Sequence, residues 1–176
     1  MKSDIIKIDN QCSGFSEAVD ETKRFAGFME LSDKESVQLQ LCAEEMLSLA
    51  RSVTGEMEAS FWLESEGKRI DLNMTTKTVM DKEKRYNLIS SSTSQKNEAA
   101  NSFLGKLRDA FEEAMASDVE HVYYELPDEL VSDVSHWSPV TDEWDGYEQS
   151  VLRRLADDIK IYIRGGLVRM TVSKTF

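Results

Sequence analysis

The chain of 176 residues carries 33 acidic and 21 basic side chains, a formal net charge of −12, with 40% hydrophobic and 9% aromatic residues. That composition belongs to a folded chain, read here as one domain over residues 1–176, and excludes a disordered one. The charge argues against nucleic acid or an anionic membrane as partner, since both need a basic surface, and leaves plain solubility or a basic protein partner.

Asp4 to Asp9 reads as a first strand with Ile5, Ile6 and Ile8 as its apolar residues. Ser13 and Ser16 offer N-caps for a helix to about Glu30, with Phe15, Val19, Phe25 and Phe28 as its stripe. Ser32-Asp33-Lys34-Glu35 is a capping box that opens a second helix. Val37, Leu39, Cys42, Met46, Leu49, Ala50 and Val53 follow at helical spacing, and Gly55 ends the run. Cys42 falls on the apolar side, where a buried free thiol is expected. With Cys12 it gives no metal spacing, and the pair suits a reducing compartment.

The period then changes to two. Ala59, Phe61 and Leu63 alternate with polar residues, as do Ile70, Leu72, Met74 and Thr76, with Ser65-Glu66-Gly67-Lys68 as the hairpin turn between them. A Ser-rich patch, Ser90 to Ser94, precedes a predicted helix from about Asn97 to Ala116 whose buried face is Ala100, Phe103, Leu104, Leu107, Phe111 and Met115. A serine run before a helix either cradles a phosphate or simply caps the helix. With no glycine to close the backbone around a ligand, capping is favoured.

From Asp118 to Glu143 the pattern is irregular, with Pro127, Pro139, His121 and His136; neither histidine has a partner at zinc-ligand spacing. Tyr147, Val151, Leu152, Leu155 and Ala156 make a short helix. Ile159, Ile161 and Ile163, then Val168, Met170 and Val172, flank Arg164-Gly165-Gly166-Leu167, a strong hairpin signal. The order β-α-α-β-β-α-α-β-β implies an α+β two-layer sandwich, with helices on one face of a mainly antiparallel mixed sheet. Met1-Lys2-Ser3-Asp4 lacks the apolar core of a signal peptide, and no run nears the roughly 18 apolar residues of a membrane span, so the cytoplasm is the expected place.

The second helix, with Glu44-Glu45-Met46 on it, and the run Val151-Leu152-Arg153-Arg154-Leu155-Ala156-Asp157-Asp158-Ile159 before the terminal hairpin carry a resemblance. Together with the element order, they resemble the histidine-kinase-type ATPase superfamily, in its branch of anti-sigma-factor serine kinases. The resemblance implies the histidine-kinase-like ATPase fold, a cleft for ATP with magnesium, and a general base at Glu45. It also implies that Glu44, Ser48, Leu49, Thr76, Asp81 and Gly146 surround the vestigial cleft.

The family's catalytic pattern is broken at three places. Leu49 stands where the family's Asn holds Mg²⁺, and a Leu side chain offers no oxygen to a hard cation. Thr76-Lys77-Thr78-Val79-Met80 has neither the Asp that reads adenine nor the glycines beside it, and Asp81 falls out of register. Gly146-Tyr147-Glu148 puts a carboxylate where the second glycine of the phosphate turn belongs.

The reading that follows is a non-catalytic regulatory or protein-interaction domain without a cofactor. Its partner would be a sigma-factor-like or other regulatory protein, with a homodimer as a further possibility. Trp62, Trp137, Trp144, Tyr123 and Tyr124 are the candidate anchors, set against packing on the core or under the long connection, which is favoured for Trp62. Two alternatives stand beside it. One is a divergent ATP-dependent serine kinase using Glu45, Ser48 and Asp81. The other is a small-ligand sensor with a deep pocket lined by Leu49, Leu72 and Met74.

Overall fold

Period-two alternation produces five strands: β1 (Ile6–Ile8), β2 (Ala59–Glu66), β3 (Arg69–Lys77), β4 (Asp158–Arg164) and β5 (Leu167–Thr175). They form one sheet in the order β1-β2-β3-β5-β4, and every neighbouring pair is antiparallel. The computed structural model describes residues 1–9, 11, 13–55, 58–100, 105, 106, 108–110, 112 and 151–176. The expected mixed sheet is therefore antiparallel throughout its strands. Among the described residues, a parallel pairing occurs at an isolated bridge between Asn97 and Ile161.

Both hairpins close with two-residue loops, Gly67-Lys68 between the paired Glu66 and Arg69, and Gly165-Gly166 between the paired Arg164 and Leu167. Gly166 does more than turn the chain. A Cβ there would stand 2.6 Å from the Thr78 carbonyl oxygen, and Thr78 donates its N–H to the Gly166 carbonyl at 2.9 Å. Only glycine permits the second hairpin to lie this close to the end of β3.

The described residues include the helices α1 (Phe15–Phe28), α2 (Asp33–Thr54) and α3 (Lys82–Ser91), and residues 151–155 are helical where a short helix was expected. The capping box of α2 is present as read: Glu35 donates its N–H to Ser32 Oγ, and the Glu35 carboxylate accepts the Ser32 N–H at 2.8 Å. α1 starts differently. Its N-cap is Gly14, at φ +88° with no side-chain cap, because a Cβ there would meet the Lys7 carbonyl oxygen at 2.1 Å. Close approach of the helix start to β1 decides that position, and Ser13 and Ser16 do not cap it.

α1 and α2 contact each other and the sheet. Leu39, Cys42, Met46, Leu49 and Val53 of α2 join Phe61, Leu63, Leu72, Met74, Ile161 and Met170 of the sheet in one core. Each such buried side chain contributes roughly 1.5–3 kcal/mol of transfer free energy. Residues on the opposite side of the same strands, such as Lys7, Trp62, Asp71, Lys160 and Arg169, are polar or partly exposed. The helices thus cover one face, as alternation along antiparallel strands requires.

Several expectations are corrected. Phe28 stands 72% exposed, because the buried stripe of α1 runs through Ala18, Thr22, Phe25 and Ala26 and leaves the last residue turned away. Val37 and Ile5 are also exposed. Trp62 lies on the outer face of β2 and not in the core. Lys2 Nζ sits 5.3 Å from its ring centroid, and its Nε1 donates to Glu64 at 3.0 Å.

The serine run is neither a phosphate cradle nor a cap for a following helix. Ser90, Ser91 and Ser92 form the end of α3, and each hydroxyl donates to the carbonyl three residues earlier. Of the helix expected from about Asn97 to Ala116, Glu98–Ala100 form a 3-10 turn and residues 105, 106, 108–110 and 112 are helical, while Phe103, Leu104, Leu107, Phe111 and Met115 lie outside the described residues. Cys12, His121, His136, the aromatic residues Tyr123, Tyr124, Trp137 and Trp144, Gly146, Glu148 and the connection at 118–143 lie outside the described residues.

The outer edge of β4 is closed by the segment after α3. Ile159 donates its N–H to Thr93 Oγ1 at 2.8 Å and accepts the Thr93 N–H at 2.9 Å. Ile163 donates its N–H to Asn97 Oδ1 and accepts from Asn97 Nδ2, both at 2.8 Å. Asn97 is 5% exposed, so its removal leaves buried backbone groups unpaired. Asn97→Ala is expected to lower the unfolding free energy by about 2–4 kcal/mol, read from urea denaturation of both proteins.

Candidate functional site

α2 displays the predicted carboxylates by simple helical rotation. Glu44 points outward, Glu45 and Ser48 are half-buried and engaged with neighbouring groups, and Leu49 is fully buried in the core. Leu72 and Met74 are closed off in that same core, at 0% and 1% exposure, where the small-ligand-sensor alternative would place a pocket. Thr76 is buried too, and its hydroxyl donates to the Glu58 carbonyl at 3.0 Å. Asp81 is the N-cap of α3: its Oδ1 accepts the Lys84 N–H at 2.7 Å, which satisfies a free donor of the first turn.

Cys42 reports the character of this helix. Burial pushes its thiol up to about 11, with Lys174 pulling it down and Asp157 and Glu45 pushing it further up. The residue is a protonated core thiol and not a nucleophile. Asp157, at the entry to β4, behaves oppositely. Burial works against its charge, but hydrogen bonds from Lys174 and from the Thr175 N–H hold it below the ordinary carboxylate range.

A different set of residues converges on α3. Arg85, only 5% exposed, points from the buried side of α3 to Asp109, with which it forms an ion pair. Asn97 donates to the same Asp109 oxygen. At the far end of α3, the Arg153 guanidinium donates to the carbonyls of Ser90, Ser91 and Ser92. A cation at a helix C-terminus meets both the free carbonyls and the negative end of the helix dipole.

These ties frame a cleft of about 940 Å³ between α3 and the helical residues among 105–112, with Lys82, Arg85, Tyr86, Lys96, Lys106 and Asp109 among its lining. A second cleft, about 530 Å³, lies against the β4–β5 hairpin and includes Arg108, Glu112, Tyr162, Arg164 and Arg169. Glu112 accepts the Gly165 N–H at 2.9 Å and the Arg108 guanidinium at 2.7 Å. Burial opposes its charge, and these two donors hold its carboxyl below the usual range. No residue of α2 lines either cleft. Among the described residues no three His, Cys, Asp or Glu side chains group closely enough to hold a metal ion.

The α3 cleft was missed in the sequence because Lys82, Lys96 and Lys106 are scattered and α3 lacks an apolar stripe. The one local signal was Asp81, an N-capping residue before a run free of Gly and Pro.

The Cys42 environment can be checked directly. In a Cys12→Ser variant, native Cys42 should react with a thiol reagent at pH 8 at least about a hundredfold more slowly than in denaturant, since its thiol pKa is raised from 9.0 to about 11. The native state holds this proton through a range where the unfolded chain loses it. The stability contributed by the protonated thiol is therefore complete below pH 9 and is lost as pH rises from about 9 to 11.

Comparison of the sequence with models of protein families gives no match. Comparison with curated proteins gives none either.

Proposed function

We propose that this chain is a regulatory, protein-binding domain on a scaffold similar to the histidine-kinase-type ATPases, and that it does not use Mg-ATP catalytically. The order of elements and the carboxylate-bearing α2 packed on an antiparallel sheet support the scaffold reading. One observation carries the functional part: the positions that resemble nucleotide-binding positions are committed to the fold. Leu49 is core, the Thr76 proton goes to a backbone carbonyl, and Asp81 caps a helix.

The partner surface in this reading is the outward side of α1 and α2. Phe28, Val37 and Leu41 are exposed by 72%, 54% and 38%. Val37 and Leu41 are one helical turn apart and share a stripe. Across residues 15–45 there are eight acidic and three basic side chains. The complementary partner therefore presents an apolar face with a basic rim, and a sigma-factor-like regulatory protein is the class the resemblance suggests. Exposed aromatic and aliphatic anchors in a charged frame are the usual composition of such contacts.

The test is association with a partner recovered from source cells and then purified. The wild-type chain should bind it, and Phe28→Glu with Leu41→Glu should weaken binding at least about thirtyfold, the loss of a 2 kcal/mol anchor, with unchanged unfolding. Undiminished binding by the double variant would remove this surface from the function. Restoring the family's Asn at the Mg²⁺ position should fail for a physical reason. Leu49→Asn buries an amide in the core and is expected to cost about 3–5 kcal/mol of stability, measured by urea denaturation.

A further inference from the structure

We propose that the outward stripe of α2 pairs with the same stripe of a second copy of this chain, as two antiparallel helices related by a two-fold axis level with Leu39. This goes beyond the protein-binding reading: when no other partner is present, the second copy covers Val37 and Leu41.

Helical rotation sets the stripe. Lys34, Val37, Leu41 and Glu44 follow one another at the three- and four-residue spacing of a seam between paired helices, and all four are exposed. Leu39, Cys42, Ala43 and Met46, on the other side of α2, are buried in the core. Among the described residues neither Lys34 nor Glu44 forms an ion pair within the chain.

The stripe is its own complement. In an antiparallel pair centred on Leu39, residues equally far before and after that position face each other. Lys34 then meets Glu44 of the second copy, and Val37 meets Leu41 of the second copy. The two-fold axis repeats each contact, as an isologous interface requires. Beside the seam, Gln38 meets Gln40 of the second copy. Gln40 already gives its amide N–H to Ser36 at 3.1 Å and offers its oxygen to Gln38. The helix dipoles also oppose, which is the favourable arrangement.

The acidic character of α1 and α2 does not decide against this contact. At about 0.15 M salt, charges more than about 8 Å apart are largely screened, whereas the seam groups meet at contact distance. Asp33 and Glu45, which are alike in charge, face each other only at the two ends of the overlap. That overlap, residues 33–45, is about 20 Å long. It is short for a permanent interface, and the expected dissociation constant is on the order of 10–100 μM.

The experiment is sedimentation equilibrium of the full chain, from about 10 to about 500 μM protein at about 0.15 M salt, a range that brackets the expected constant. The wild type should pass from monomer to dimer. Lys34→Glu and Glu44→Lys, each alone, turn both charge pairs repulsive and should weaken the dimer at least about tenfold. An equimolar mixture of these two variants restores both pairs between unlike copies and should regain the wild-type affinity. Lys34→Glu puts an acid in the first turn of α2, which the helix dipole favours, so loss of the dimer there does not come from unfolding. A wild type that stays monomeric throughout, a dimer that survives both single reversals, or a mixture that fails to associate overturns the inference. None of these results touches the test with a different protein partner, which stands or falls on its own.

Discussion

Every N–H and C=O on the outer edge of β4 needs a partner, and the chain supplies them from a short segment rather than from another strand. Thr93 and Asn97 meet Ile159, Ile161 and Ile163 through two side chains, one amide and a bridge. An unprotected edge would be a template for pairing with other chains. Closing it in this way fixes more than the edge. The same Asn97 also reaches Asp109, and through it Arg85, so the edge, the loop and α3 are held by one hydrogen-bonded network. Such a network stabilises when complete and is costly when one member is lost, because the remaining charge stays buried. The cleft beside α3 owes its shape to this constraint. Arg153 completes the frame by tying the end of α3 to the segment that enters β4.

The parts of the fold that could be read in advance were those governed by local rules. The capping box at Ser32 and Glu35, the alternation of β2 through β5 and both glycine-containing hairpins follow from chemistry within a few residues. α3 was missed because its buried face is Arg85, Leu88 and Ser91, which carries no apolar period. A helix buried through an ion pair is invisible to a hydrophobicity argument. Phe28 shows the converse: a large apolar side chain was read as part of the buried stripe, but it sits exposed at a helix end. Gly14 and Gly166 answer to backbone contacts far away in sequence, with Lys7 and Thr78, which no local pattern contains.

The candidate sites were less legible for a related reason. Glu44, Glu45 and Ser48 were found on the expected helix, and Leu49 on its buried side, but that geometry follows from helical rotation alone. The lysines of the α3 cleft come from three separate segments and meet only once the edge of β4 is covered. An average of −12 conceals a nearly balanced remainder beside an acidic run at 113–150, so the net charge does not describe every part of the sequence. Charge arguments hold within about a Debye length, not across a whole chain.

The most direct measurement is ATP turnover and phosphotransfer by the purified chain with Mg²⁺, compared with the Glu45→Gln variant. If, as proposed, the positions that resemble nucleotide-binding ones serve only the fold, neither protein releases or transfers phosphate above the uncatalysed rate. Mg-dependent turnover by the wild type that Glu45→Gln abolishes would contradict the account and restore Glu45 as a general base.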